Sequence, residues 1–291
     1  MRTLIALLLT LLLTGCGAAS MTMVTGSPPP AASDPELEES ETVRYEVELA
    51  QWSDEARAED GTQLASYTFT LPVLTAVRED GTPITEARSE PEEQALSAAA
   101  AFNEKFGKWA AAEEFPEFVT SAEEDLAMRR EWDVQAQWIP YELTLDCTVY
   151  QTERIISVAG IYYTYTGGAH PNTWQLGWNF DLEEGTFFEL ELLADDTELQ
   201  EAVNGEIIRQ AQLPLEDGTV PAEGYWEDYE AIIANWTSYT VSFDEEGMVV
   251  IFSAYELAPY AAGPQTFRLS YDWLEPHLSA HGRALLGLEA E

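Results

Sequence analysis

Only a few residues of this sequence have the types and spacing expected of reactive groups. The chain of 291 residues has three histidines and two cysteines. His170 ends the loop sequence GGAH, which lies between two runs of aromatic residues. A histidine in such a loop could transfer protons or bind a ligand. It could also hydrogen-bond the loop backbone, and we favour this structural role because Gly167 and Gly168 are typical of a tight turn.

The other two histidines, His277 and His281, stand four residues apart in the sequence HLSAH. In one helix they would share a face, which is a spacing used by zinc sites. The sequence lacks the glutamate of the HExxH motif, and no third ligand can be singled out among 53 acidic residues. We therefore predict neither a metal ion nor a cofactor.

Cys147 lies in the segment YELTLDCTVY, residues 141–150, in which apolar and polar residues alternate. The alternation predicts a strand with one buried face, and Cys147 belongs to the apolar set. A nucleophilic thiol needs a nearby base and positively charged surroundings, and basic residues are scarce here. We therefore predict that Cys147 packs in the core and, if Cys16 is lipidated, has no partner for a disulfide.

The sequence is strongly acidic, with 53 aspartates and glutamates against 13 lysines and arginines. The resulting formal charge of -40 makes nucleic acid an implausible partner. It is compatible with a cationic partner, although solubility alone also explains it. The motifs of serine hydrolases and nucleotide-binding loops are missing from the sequence. A glycosidase that uses a pair of carboxylates remains an alternative, because the sequence does not single out one pair among so many acidic residues.

The amino-terminal residues predict export and a lipid anchor. Arg2 precedes an apolar stretch, residues 4–13, which is shorter than the about 20 residues needed to span a bilayer. The stretch ends in LTGC, which resembles the lipobox of bacterial lipoproteins. The resemblance implies a signal peptide of residues 1–15 and a diacylated Cys16 that anchors the protein on the outer side of the cell membrane. Residues 16–42, rich in Pro, Ser, Ala and Glu, predict a flexible linker.

Alternation of apolar and polar residues predicts strands along much of the remaining chain. The clearest segments are residues 43–52, 65–74, 141–150, 153–166 and 173–181, with more strands between 238 and 271. The GGAH loop joins two of these strands as a hairpin. Pro72 predicts that the second strand lies at an edge or a bulge.

Apolar residues three or four positions apart predict helices. Ser89 and Glu92 match a capping box at the start of the first helix. The apolar stripe of this helix consists of Leu96, Ala99, Phe102, Phe106 and Trp109. Shorter helices are predicted from residue 120, over 195–212 and over 225–235. Because strands and helices do not alternate regularly, we predict an α+β fold of two small mixed domains, each with antiparallel sheet and packed helices.

Three motifs resemble a known pair of extracellular domains. They are YTYTGGAHP, NFDLEEGTFFELELL, and a segment that contains Tyr255, Glu256, Ala258, Tyr260 and Gly263. They are similar to the paired domains of unknown function in PdaC-type peptidoglycan deacetylases and RsiV-type anti-sigma factors. The resemblance implies a PdaC-associated type of domain over residues 43–182 and an RsiV C-terminal type of domain over residues 183–291.

The resemblance also implies a role at the envelope of a Gram-positive cell. Deacetylase relatives add a metal-dependent catalytic domain, which we do not expect here because the sequence ends at Glu291. Anti-sigma relatives have an exterior region similar to a receptor for lysozyme, which is a cationic enzyme. We therefore predict a non-catalytic binding module for cell-wall glycan or for a cationic protein such as lysozyme. An envelope glycan hydrolase that uses a carboxylate pair is the alternative.

Aromatic residues supply the candidate ligand contacts. We predict two alternating sets in the core, namely Trp174, Leu176, Trp178 and Phe180 on one strand and Ile161, Tyr163 and Tyr165 on its neighbour. Exposed rings could instead stack on sugar or anchor a protein partner. The candidate binding residues are Tyr162, His170, Tyr225, Trp226, Tyr255 and Tyr260.

Overall fold

A computed structural model describes residues 42–134, 137–195, 197–235 and 240–288 of the chain. These residues belong to one compact unit and have the predicted α+β fold. Cys16, the signal peptide and nearly all of the predicted linker lie outside the described residues. No helix in the described ranges is both long and apolar enough to cross a bilayer.

The larger sheet has six strands, and each strand pairs with the next along the chain. They are β1 (Val43–Arg57), β2 (Gln63–Arg78), β3 (Tyr141–Gln151), β4 (Ile155–Tyr165), β5 (Asn172–Asp181) and β6 (Thr186–Phe188). Every pair is antiparallel except β2 and β3, which run parallel. A parallel pair needs a long crossover, and α1 (Glu90–Ala110) and α2 (Phe115–Glu131) supply it. The sequence indicated these strands but not the parallel pair.

Helix α1 covers one face of this sheet with the apolar stripe that the sequence predicts. Ala99, Phe102 and Phe106 are buried, and the ends of the stripe pack at the margin of the same core. Cys147 on β3 is a free, buried cysteine that faces this core, as predicted. Burial raises the pKa of its thiol to about 12, so Cys147 packs as an uncharged group.

Pro72 lies where β2 has only one neighbouring strand. β3 pairs with β2 from Ala65 to Thr70, so Pro72 faces a partner on the β1 side alone. β2 lies between β1 and β3, so it is not an edge strand as predicted, but its stretch around Pro72 has no second neighbouring strand. Proline is tolerated there because it has no N–H to donate. Asn103 of α1 covers the open edge beyond it. The Asn103 amide accepts from the Leu74 N–H and donates to the Leu74 carbonyl, both at 2.8 Å.

The capping of one helix and the start of another differ from the sequence prediction. Ser89 is the N-cap of α1, but its side chain makes no capping hydrogen bond. Glu92 instead accepts from the Arg78 guanidinium at 2.6 Å, because a buried carboxylate requires a charged partner. The prediction of a capping box is therefore wrong, although the predicted start of α1 is right. α2 begins at Phe115, ahead of the predicted residue 120, because a proline fits its first turn.

The smaller sheet has three antiparallel strands, β7 (Thr240–Phe243), β8 (Gly247–Phe252) and β9 (Gln265–Ser270). The helices beside it are α3 (Glu198–Ala211), α4 (Tyr229–Asn235), α5 (Tyr271–Leu274) and α6 (Ala280–Leu285). Short 3-10 turns occupy Leu190–Leu193, Pro221–Gly224, Tyr260–Ala262 and Glu275–His277. The predicted helical face with Leu199, Val203 and Ile207 is buried in the core of this region.

His277 and His281 do not share a helix. His277 ends a 3-10 turn, and the extended Ser279 then caps α6, in which His281 lies. The His277 ring packs on Trp273, with centroids 4.7 Å apart. Their four-residue spacing therefore gives no common helical face. In the described part of the chain, no three His, Cys, Asp or Glu side chains are grouped to hold a metal ion.

The two sheets meet where β7 packs against β4 and β5. Among the described strands, only β8 pairs with β7. On the other side, Asn179 Nδ2 donates to the Val241 carbonyl at 3.0 Å, and the Phe243 N–H donates to Ser157 Oγ at 2.7 Å. Ser157 in turn donates to Asn179 Oδ1 at 2.7 Å. We call this contact of Ser157, Asn179, Val241 and Phe243 the sheet junction; its side chains cover the open edge of β7.

The larger sheet continues past the domain boundary that the sequence predicts. β6 pairs with β5 through Asn179↔Phe188, Phe180↔Phe187 and Asp181↔Thr186. Asp181 also closes the turn between them, since its carboxylate accepts from the Glu183 and Glu184 N–H groups. The division of the chain at residues 182 and 183 stays a prediction.

The sheet junction leaves no room for a side chain at Gly177 of β5. A Cβ there would lie 2.3 Å from the Val241 carbonyl oxygen. We expect Gly177→Ala to lower the free energy of unfolding by about 2–3 kcal/mol, because overpacking forces the sheets apart. Gly205→Ala in α3 is the matched control: its Cβ would meet nothing within 4 Å, and removing a helical glycine should stabilise the protein by about 0.5–1 kcal/mol. Chemical denaturation measures the free energy of unfolding of both variants. An unchanged value in Gly177→Ala would contradict the close approach of the Val241 backbone.

Candidate functional site

The GGAH loop closes the hairpin of β4 and β5, as the sequence predicts. Gly167 has a φ of 80°, a left-handed conformation that glycine adopts without strain. Tyr165 donates its hydroxyl hydrogen to the Gly168 carbonyl at 3.1 Å. His170 Nδ1 lies 2.8 Å from the Pro171 carbonyl oxygen. Side chains of the loop thus hold its backbone, in agreement with the structural role favoured for His170.

Residues 253–263 form the second part of the site, and their buried residues fix them to the smaller sheet. Leu257 and Ala258 are 0% and 1% exposed. The Ser253 hydroxyl accepts from a backbone N–H of β5 at 2.9 Å, which ties this segment to the hairpin strand. Tyr255 has a φ of 75°, a conformation that is rare for residues with a side chain. Its ring stands beside the hairpin loop.

Three aromatic rings from these two segments meet at one surface. We call His170, Tyr255 and Tyr260 the ring cluster. The His170 and Tyr260 rings are stacked, with centroids 3.9 Å apart and planes inclined by 18°. The Tyr255 hydroxyl lies 3.3 Å from His170 Nε2, and the two tyrosine ring centroids are 5.6 Å apart. The sequence named all three residues as candidates but did not place the hairpin beside the later segment.

Trp226 borders the ring cluster, whereas Tyr225 is half-buried against the core. The Trp226 indole N–H donates to the Tyr255 carbonyl at 3.1 Å, and Trp226 is 37% exposed. Tyr225 packs against the core and donates to Gln265 Oε1 at 2.8 Å. Burial raises the pKa of Tyr225 to about 12, so its hydroxyl stays protonated. The Trp226 ring is therefore accessible at the surface, while Tyr225 supports the fold.

Tyr162 points to the α1 side of the larger sheet, away from the sheet junction. It pairs with Leu145 on β3 and with Trp174 on β5, and these residues share one face. The Tyr162 ring centroid is 5.0 Å from that of Trp109 in α1 and 5.8 Å from that of Trp174. Burial raises the pKa of Tyr162 to about 12. Tyr162 is thus half-buried, where the sequence indicated an exposed ring, because α1 reaches over this part of β4.

Two residues that the sequence placed in the core are exposed. Trp174 is 43% exposed and Ile161 is 48% exposed, although they lie on opposite faces of the hairpin. Exposure along β5 decreases from Trp174, near the loop, to Phe180, which is fully buried. Alternation in the sequence marks a face of a strand, but it does not say how far the covering elements reach along that face.

Both ring nitrogens of His170 have a hydrogen-bonding partner. The Pro171 carbonyl can only accept, so Nδ1 carries the hydrogen in that contact. Nε2 lies 3.3 Å from the Tyr255 hydroxyl, a group that can either donate or accept a hydrogen bond. Tyr163 lies nearby, and its pKa is raised, first by burial and then by the Glu142 carboxylate. The Tyr163 hydroxyl therefore stays protonated. With both ring nitrogens of His170 in contact with partners, the cluster consists mainly of aromatic surface.

A groove on the α1 side of the larger sheet was missed by sequence reasoning. It has a volume of about 510 Å³ and lies where α1 ends and α2 begins. Residues that define it include Phe69, Lys105, Lys108, Trp109, Phe115 and Phe187. We call it the lysine groove. The signal that could have indicated it is the position of Lys105 and Lys108 within one helical turn, since the chain has no other lysine.

The matches to known families agree with the motifs of the sequence. A family model described as deacetylase PdaC matches residues 59–173, and one described as a protein of unknown function (DUF3298) matches residues 191–272. The chain thus carries the paired domains of unknown function that its motifs indicated. The GGAH loop falls in the first match, and Trp226, Tyr255 and Tyr260 fall in the second. No curated protein matches the chain.

Two solved structures share this fold. A DUF3298 family protein from Bacteroides fragilis has a TM-score of 0.58 and 17% identity, over 86% of this chain and 100% of that chain. A DUF3298 family protein from Pseudomonas aeruginosa has a TM-score of 0.51 and 13% identity, over 82% of this chain and 96% of that chain. At these identities the likeness shows the fold alone.

The stacked rings of His170 and Tyr260 should stabilise the protein jointly. We expect the effects of His170→Ala and Tyr260→Ala on the free energy of unfolding to be non-additive, with a coupling of about 0.5–1.5 kcal/mol. The control cycle combines His170→Ala with Trp273→Ala, because Trp273 packs on His277 instead; its coupling should be near zero. Denaturation of each set of four proteins gives the couplings. Additive effects of His170→Ala and Tyr260→Ala would rule out the stacked contact.

Proposed function

We propose that this protein is a non-catalytic binding module, held outside the cell by a lipid on Cys16, that captures a cationic protein such as lysozyme. The observation that carries the proposal is the ring cluster. In it, exposed aromatic side chains from two distant segments of the chain meet at one surface beside Trp226. The resemblance to receptors of lysozyme supports the same type of partner.

The rings are suited to act as anchors because the backbone that carries them is already fixed. Tyr255 is 53% exposed, and its carbonyl accepts the indole hydrogen of Trp226. The Glu256 carboxylate accepts from the Ser253 N–H at 2.5 Å, which closes the turn that contains Tyr255. Tyrosine and tryptophan dominate the energetics of many protein interfaces. A fixed ring loses little further conformational entropy on binding, so more of its contact energy goes into affinity.

The charge of the chain favours a basic partner. A formal charge of -40 attracts cationic proteins from a distance and repels acidic ones. Lysine and arginine side chains of such a partner can also pack on the faces of Tyr255 and Trp226, since aromatic faces attract cations. The overall charge would then govern the rate of association, while the ring cluster would set the place of contact.

A cell-wall glycan is the second candidate ligand, and Trp174 is the residue that favours it. Trp174 is 43% exposed, and its ring lies 5.8 Å from the ring of Tyr162 at an angle of 30°. A supported, exposed indole of this kind can stack on a sugar ring. Cleavage of the glycan by a carboxylate pair is the corresponding enzymatic alternative.

Binding to lysozyme is the direct test of the proposal. The soluble chain, with Cys16→Ser, is titrated with lysozyme in low and physiological salt, and in parallel with insoluble peptidoglycan. We expect Tyr255→Ala and Trp226→Ala each to weaken lysozyme binding roughly tenfold, as removal of a central aromatic anchor does. Higher salt should weaken binding of every variant, because it screens the charge of the chain.

Trp132→Ala is the matched control for these variants. Trp132 is 68% exposed at the end of α2, outside the ring cluster, so its loss should leave lysozyme binding unchanged. No binding to lysozyme, or equal losses in all three variants, would overturn the proposal. Binding to peptidoglycan alone, abolished by Trp174→Ala, would establish the second candidate instead. Release of sugar fragments from peptidoglycan would establish the enzymatic alternative.

The lipid anchor is tested by replacing the residue that would carry it. The LTGC sequence supports diacylation of Cys16, and two acyl chains suffice for stable attachment to a membrane. We expect the protein to sediment with membranes and to partition into detergent, and we expect Cys16→Ser to release it into the soluble fraction. Cys147→Ser serves as the control, since Cys147 is buried in the fold. A Cys16→Ser protein that still sediments with membranes would refute the anchor.

A further inference from the structure

Both lysines of the chain lie on α1 and line the lysine groove. Seven arginines of the described chain form ion pairs with carboxylates. By contrast, neither Lys105 nor Lys108 forms a direct ion pair with a described residue. Lys105 is near enough to the Glu189 carboxylate to counteract part of the rise in its pKa that burial causes. In a chain with a formal charge of -40, this groove therefore brings together both lysines without a direct ion pair to either.

The groove has the size and lining of a small-molecule site. Its volume of about 510 Å³ falls within the range of roughly 300–1,000 Å³ that such sites occupy. The floor is apolar, with Phe69 and Leu143 from the sheet and Phe115 from α2. The Lys105 ammonium lies over the Phe187 ring, 5.7 Å from its centroid. Positive charge thus stands directly beside apolar surface.

Carboxylates at the same groove restrict the charge that a ligand can carry. Glu104, Glu113 and Glu114 are part of the lining, and Glu114 accepts from the Tyr162 hydroxyl at 3.3 Å. A ligand with several negative charges would meet these carboxylates as well as the field of the whole chain. The lining therefore favours a ligand that carries a single anionic group.

We propose that the lysine groove binds a monocarboxylate with an apolar body, such as a medium-chain fatty acid or an aromatic acid. The carboxylate pairs with Lys105 and Lys108, and the apolar body covers the aromatic floor. This site is separate from the ring cluster, because it lies on the α1 side of the larger sheet. Its existence does not depend on capture of a cationic protein.

Fluorescence titration with two matched probes tests the site in the full chain carrying Cys16→Ser. Anilinonaphthalene sulfonate joins an aromatic body to one anionic group, and phenylnaphthylamine has the same rings without that group. In Lys105→Gln/Lys108→Gln, we expect the affinity for the sulfonate probe to fall roughly tenfold, since two partly exposed charge pairs are lost. The affinity for the uncharged probe should stay the same.

The control Arg57→Gln/Arg209→Gln removes two positive charges from exposed sites outside the groove. It should leave both probes unaffected. Ala101→Phe keeps both lysines but places a ring in the groove, because Ala101 forms part of the lining. It should lower the affinity for both probes. Laurate should displace the sulfonate probe from the unsubstituted chain, and less effectively from the lysine variant.

Three results would overturn this proposal. The first is an unchanged affinity for the sulfonate probe in the lysine variant, or an equal fall in the arginine control. The second is an Ala101→Phe protein that binds both probes as before, which would place them elsewhere. The third is failure of laurate to displace the sulfonate probe. A thermal melt of each variant confirms that it is folded, and Ala101→Phe tests the location of the site without altering its charge.

Discussion

The arrangement of this protein depends on the sheet junction, where two polar side chains replace a missing strand. β7 has an open edge, and Ser157 and Asn179 supply the hydrogen-bonding groups that a neighbouring strand would provide. Both side chains are buried, so their polar atoms would destabilise the fold without these partners. The absence of a side chain at Gly177 lets the Val241 backbone approach the larger sheet. Hydrogen bonding and close packing therefore specify the same relative position of the two sheets.

This position determines where the candidate binding residues meet. The hairpin of β4 and β5 belongs to the larger sheet, whereas Tyr255 and Tyr260 follow the last residues of β8 in the smaller one. Ser253 bonds to the β5 backbone just beyond the sheet junction, so the later segment is already aligned with the hairpin when its rings reach His170. The ring cluster is thus a consequence of the junction, and its contacts reinforce the alignment.

The sequence predicted those features whose cause is local. The stripe from Leu96 to Trp109, the strand with Cys147 and the GGAH hairpin follow from periodicity and turn chemistry, and the structure confirms them. The parallel pairing of β2 and β3 and the burial of Tyr162 depend on where α1 lies, which no local pattern records. The same holds for the ring cluster, since its residues were identifiable by type while their proximity depends on the sheet junction. The polar residues of that junction gave no signal, because a lone serine and asparagine are common in exposed strands.

The two proposed sites place opposite electrostatic requirements on one acidic chain. Electrostatic attraction of a basic protein acts over the whole charged surface, whereas a small anion responds to charges within about 8 Å at physiological salt. Lys105 and Lys108 both line the lysine groove, so they lie within that short range of a ligand bound there, together with the carboxylates of the lining. A small monocarboxylate can therefore bind to a protein that repels acidic macromolecules, provided that its apolar body supplies part of the binding energy. The apolar floor beneath the lysines is what makes this combination physically consistent, because desolvation of apolar surface is unaffected by the negative charge of the chain.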